Sequence, residues 1–132
     1  RSLAGAHALF GGTMPGSCLV APVSFLQKRP AEAQALAYGV VHALKWLQTA
    51  APADIVKTVP PDESMGDRSL YLAALARVRE AISPDGLMPE GGAETSLRAL
   101  SALDPALAAR RPDLTRTFTQ EFARKAKQKF SA

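Results

Sequence analysis

The sequence predicts a mainly α fold with a few short strands. Alanine is abundant while aromatic residues make up only 6% of the chain, a balance that favours helices over a β-sandwich. Apolar residues also recur one turn apart, in blocks separated by proline- and glycine-rich breaks. At 132 residues the chain is one domain by size and can bury roughly two thirds of its unfolded surface.

Residues 1–9, "RSLAGAHAL", are small and weakly apolar and carry no helix cap, so a strand or extended segment is expected. "FGGTMPG" follows as a turn, and "SCLVA" at 17–21 is short, apolar and β-compatible, ended by Pro22. "VSFLQKR" (23–29) reads as one or two helical turns with Ser24 as a possible cap. Pro30 suits the first position of the strongest helix, because its missing N–H has no intrahelical partner there. In that helix Leu36, Val40, Ala43, Leu44 and Leu47 fall at offsets 0, 4, 7, 8 and 11, one apolar stripe that is expected to be buried. Pro52 should stop it near Ala51.

"ADIVKTV" is expected to be a short helix closed by Pro60 and Pro61. The acidic loop with Asp62, Glu63 and Asp67 is read as solvated, and Asp67 can cap a helix over 68–82. Tyr71, Leu75, Val78 and Ile82 mark the buried face of that helix. "SPDGLMPEGG" breaks the structure with a Pro-Asp-Gly turn. A helix over 93–103 follows, with Leu97, Leu100 and Leu103. "DPALAARRPD" is a connector, and "LTRTFTQEFARKAKQKF" is a last amphipathic helix with Phe118 and Phe122 inward.

Charge is unevenly placed. Of the net +4, residues 110–132 hold seven Lys and Arg against Asp113 and Glu121, a net +5, while nine basic and ten acidic residues leave the remainder at −1. Cations near the end of a helix favour its dipole, and no aromatic–basic interleaving supports base stacking. A solvated helix end is therefore the reading, and no nucleic-acid partner is expected. One cysteine forbids an internal disulfide. Cys18 lies in an apolar run and is expected to be buried and inert. No apolar run approaches the ~20 residues needed to span a bilayer. The chain begins with Arg1, so an upstream segment, removed by processing or cloning, is expected.

The tests for chemistry are mostly negative. The glycine stretch lacks the lysine and hydroxyl of a P-loop. Its spacing is wrong for a dinucleotide fingerprint, and a strand-like run follows it instead of a helix. His7 and His42 stand alone, without metal-ligand spacing. The acidic loop lacks the alternating ligands of a calcium loop. His42 and Trp46, one turn apart, read as a packing contact. The residues offer no catalytic set, and no enzyme activity is expected.

The order of features nevertheless resembles a known family. "FGGTMPGSCLVA" leads into a strand-like run and then "FLQKRPAEAQALAYGVVHALKWLQTAAPADIVKTVP". After that come "LYLAALARVREAISPDGLMPEGGAETSLRAL" and "LTRTFTQEFARKA". This is similar to the C-terminal part of periplasmic solute-binding proteins of ABC importers, in the branch for nitrate, sulfonates, taurine and thiamine precursors. Phe25, Leu26, Pro30, Gln34, Ala43 and Trp46 occupy the family's long-helix pattern, and Ser83, Asp85, Gly86, Met88 and Pro89 its turn. Family members are two-lobed and much longer, so the resemblance implies a fragment of a type II periplasmic-binding-protein α/β fold. Residues 1–22 would be the return strand and turn, and 23–132 the helical part.

The resemblance further implies an exported protein that works in the periplasm. It would bind a small-molecule solute between two lobes and deliver it to an ABC permease in the inner membrane, without a cofactor or metal. Phe10, Gly11, Gly12, Thr13 and Met14 would line the ligand, with glycine amides approaching its anionic group as in an anion-binding nest. A rival reading is a small helical interaction or nucleic-acid-binding module using the basic C-terminal helix. Another is an enzyme, since thiamine-precursor synthases share the fold, although no His/Cys metal cluster supports it.

Overall fold

The computed structural model describes residues 6–60, 67–110 and 112–132. Eight α-helices and two 3₁₀ turns account for the regular structure there, and no strand occurs among the described residues. The chain divides into two units. One contains Arg1–Gln27 and Leu87–Gln120, the other Lys28–Gly86 and Glu121–Ala132.

The second unit is built on α3 (Pro30–Thr49), the longest helix, as its proline start and uninterrupted pattern predict. Its C-terminal partner is α8 (Glu121–Phe130). The face that α3 buries is Ala33, Ala37 and Val41, not the predicted stripe. Leu36 and Val40 are exposed, at 55% and 40%, Ala43 is exposed, and Leu44 and Leu47 are half-buried. The buried positions of α3 are mostly small side chains, which allow close packing around the helix, and Ala126 of α8 is fully enclosed.

Polar and aromatic contacts fix the register of these two helices. The Gln34 amide donates to the Phe122 carbonyl (2.9 Å). The Lys45 ammonium donates to the carbonyls of Phe130 and Ser131, where the dipole of α8 is negative. Phe130 stacks on His42 (4.8 Å between centroids) and meets the Tyr38 ring edge-on (5.8 Å). Ser131 is left-handed (φ 52°), and the Ala132 N–H bonds back to the Lys127 carbonyl (3.1 Å), so α8 ends in a Schellman-type turn.

The same unit contains α4 (Pro52–Thr58), which buries Ile55, and α5 (Arg68–Val78). The Asp67 carboxylate caps α5 as predicted, accepting from the amides of Ser69 and Leu70 (2.9 and 3.0 Å). A 3₁₀ turn, Arg79–Ala81, continues it. Its expected buried face is only partly covered: Tyr71, Leu75 and Ile82 are half-buried and Val78 is exposed. Pro61, Asp62 and Glu63 lie outside the described residues.

In the first unit α1 (Ala6–Phe10) occupies part of the segment expected to be extended, and residues 1–5 of that segment lie outside the described residues. Ala, Leu and His tolerate a helix, and Gly11 supplies its stop. Residues 17–21, expected to be a strand, are irregular and exposed throughout. A strand needs a neighbour for its backbone groups, and none is present among the described residues. Cys18 is accordingly exposed rather than buried.

Further along, α2 (Val23–Lys28) includes Ser24 inside the helix, and the Pro22 carbonyl accepts the amides of Phe25 and Leu26. Next, α6 (Gly92–Leu103) buries Gly92, Ala93, Thr95 and Ala99, while Leu97 is half-buried and Leu100 and Leu103 are exposed. The expected connector is largely helical: α7 (Pro105–Arg110) starts after Asp104, whose carboxylate caps the Ala106 amide (2.9 Å). The expected last helix is split. A 3₁₀ turn, Leu114–Arg116, is capped by Asp113, α8 begins only at Glu121, and Phe118 is 38% exposed.

Candidate functional site

The five residues singled out from the sequence lie in one turn at the end of α1, in the first unit. Gly11 is left-handed (φ +70°), a conformation that costs a side chain about 1 kcal/mol or more. Its amide donates to the His7 carbonyl (2.9 Å), closing α1 in the αL manner. This leaves the carbonyls of Phe10 and Gly11 pointing away from the helix without intrahelical donors.

Those carbonyls are met by α6. Arg98 Nε donates to the Phe10 carbonyl (3.2 Å), and Nη2 donates to the Gly11 carbonyl (3.5 Å) and to Thr95 Oγ1 (3.1 Å). The hydroxyl of Thr95, 2% exposed, donates a hydrogen bond to the Gly91 carbonyl (2.9 Å). Gly12 lies so close that a Cβ there would stand 2.6 Å from Thr95 Oγ1. Gly91 (φ +68°) turns the chain into α6. Buried Gly92 admits Pro89 and Met88, whose atoms lie 2.8 and 3.2 Å from where its Cβ would be.

This geometry revises the anion-nest expectation at one atom, since the Gly11 amide is committed to α1. The positive charge beside the turn comes from a side chain instead. Arg98 is exposed, and its guanidinium presents a planar fork suited to carboxylate, sulfonate or phosphate oxygens. Phe10 and Gly12 are half-buried, while Gly11, Thr13 and Met14 are exposed.

Elsewhere the basic segment is partly used in packing within the second unit. Lys127 pairs with Asp85 (2.7 Å), and the Lys129 ammonium lies 4.2 Å from the Tyr38 ring centroid. The Ser83–Gly86 turn that precedes them is held by the Ser83 hydroxyl, which accepts the Gly86 amide (2.9 Å). Tyr71, Ala74, Leu75 and Val78 line a shallow apolar groove on α5. Among the described residues no group of three or more His, Cys, Asp or Glu could hold a metal ion, and no helix is long and apolar enough to cross a membrane.

Sequence reasoning found the turn but missed Thr95 and Arg98. They lie more than eighty positions further along, and a threonine and an arginine inside a helix carry no local signature. The only available signal was the tight double glycine, which implies that something packs against it.

No protein-family model and no curated protein matches the chain. The chain is similar to a solved protein structure from Bordetella bronchiseptica RB50. The two are 41% identical and superpose with a TM-score of 0.90, over 96% of this chain and 40% of that one. The chain thus spans about two fifths of the length of the solved protein it matches.

Proposed function

We propose that the 132 residues are the C-terminal portion of a periplasmic solute-binding protein of an ABC importer. The full protein closes on a small nitrate-, sulfonate-, taurine- or thiamine-precursor-like solute between two lobes and hands it to an inner-membrane permease. The ordered series of motifs, from the glycine turn to the "SPDGLMPEGG" turn, carries this reading. The longer solved relative, of which the chain matches about two fifths, is in keeping with a two-lobed parent of which this is one part.

In this reading Phe10, Gly11, Gly12, Thr13 and Met14 form part of one wall of the cleft. Arg98 lends the turn a fixed positive charge, which favours the anionic members of the solute panel over neutral ones. Titration of nitrate, taurine, an alkanesulfonate and a pyrimidine thiamine precursor into the full-length polypeptide tests it. Micromolar binding of one class is expected. An Arg98→Gln substitution should weaken an anionic solute by about tenfold or more, the value of a lost charge-assisted hydrogen bond. A full-length protein that binds none of the panel would remove the reading.

A further inference from the structure

Arg124 and Lys125 have no task in the packing that engages the rest of α8. One side of this helix is committed to α3: Gln34 holds the Phe122 carbonyl, Phe130 stacks on His42, and Ala126 is fully enclosed. Lys127 is paired with Asp85 (2.7 Å). The other side presents Arg124, Lys125, Gln128 and Lys129, all exposed, over an arc of about 140° at 3.6 residues per turn. Glu121, in the first turn, is the only acid on α8. Among the described residues neither Arg124 nor Lys125 forms an ion pair, and the Lys129 ammonium rests at the rim of the face on the Tyr38 ring.

This face has charge but no anchor. Protein interfaces draw most of their energy from buried aromatic and arginine anchors seated in pockets, and Phe122 and Phe130 are half-buried on the other side of the helix. Single-stranded nucleic acid needs aromatic platforms for its bases, and the face carries none. A diffuse anionic surface is satisfied by flexible cations alone. We infer that the exposed face of α8 is an electrostatic contact for an anionic phospholipid surface. The choice of a membrane rests on the reading above, in which the protein delivers its solute to an inner-membrane permease. Because the apolar side of α8 is already covered, the helix lies on the headgroups without inserting, unlike a free amphipathic helix. Each Lys or Arg near such a surface is worth about fivefold in partitioning, so Arg124, Lys125 and Lys129 together give about a hundredfold. Contact of this kind is reversible and is weakened by salt, which suits a carrier that must leave again.

The test is co-sedimentation of the full-length polypeptide with vesicles of phosphatidylcholine, alone or mixed with phosphatidylglycerol, at low ionic strength. Partitioning should favour the anionic vesicles by about a hundredfold and fall steeply as salt is added. Arg124→Gln combined with Lys125→Gln should cut that preference by about 25-fold. Both positions are exposed, so the helix is kept, which circular dichroism checks. Arg68→Gln combined with Arg77→Gln removes the same charge from exposed positions of α5 and should change partitioning by less than about twofold. Equal affinity for neutral and anionic vesicles would overturn the inference. So would an equal loss in the α5 variant, which would reduce the effect to net charge. Tighter retention of duplex DNA or of polyglutamate than of the vesicles, at the same salt, would also overturn it and assign the face to nucleic acid or to an acidic protein. Vesicle binding by a protein that takes none of the solute panel would keep the surface and remove the proposed function. Solute binding without vesicle binding would do the reverse.

Discussion

At the scale of single residues, the turn at Gly11 and Gly12 is held by fit rather than by sequence pattern alone. Gly12→Ala should lower stability by about 1–3 kcal/mol, because a new Cβ would press on the buried Thr95 hydroxyl. Gly16→Ala, with no atom within 4 Å of the new methyl, should change it by less than about 0.5 kcal/mol. Urea denaturation of both variants checks the pair, and equal losses would mean that the turn does not sit on α6. The turn was legible because glycine and proline leave a local mark. Arg98 and Thr95 were not, because a contact across 88 positions leaves no trace in either neighbourhood.

At the scale of elements, the long helix, α5 and α6 were readable from periodicity and caps, whereas α1, α7 and the split before α8 were not, nor were the buried faces. The long helix begins at Pro30 and Asp67 caps α5, as their local chemistry dictates. The apolar stripe of α3 was misplaced because ranking by side-chain size favours Leu36 and Val40, whereas the face that is buried carries Ala33, Ala37 and Val41, with Val41 beside Gly86. Val41→Ala should therefore cost about 2 kcal/mol by lost burial and cavity formation. Leu36→Ala should cost less than about 0.5 kcal/mol in the 132-residue chain. Thermal unfolding of the two distinguishes the observed stripe from the predicted one, and a reversed order would restore the predicted one. Removing the cap with Asp67→Ala should cost about 1 kcal/mol, read as a loss of helicity and a lower unfolding midpoint. The expected strand at 17–21 failed for a different reason, since a strand is a property of a pair and no strand occurs among the described residues.

At the scale of the molecule, the central claim is that these residues supply only part of a binding cleft. Sites for small solutes enclose 70–90% of the ligand, and in the proposed reading the turn at residues 10–14 with Arg98 forms part of one wall. Halving a micromolar interaction of about −8 kcal/mol leaves roughly −4 kcal/mol, which is millimolar binding. Calorimetric titration of nitrate, taurine, an alkanesulfonate and a pyrimidine thiamine precursor into the 132-residue chain and the full-length polypeptide, side by side, is the most direct test. We expect no saturation below about 1 mM for the short chain and tight binding of one solute class by the long one. Micromolar binding by the short chain would contradict the claim, because a complete site would then lie within these 132 residues.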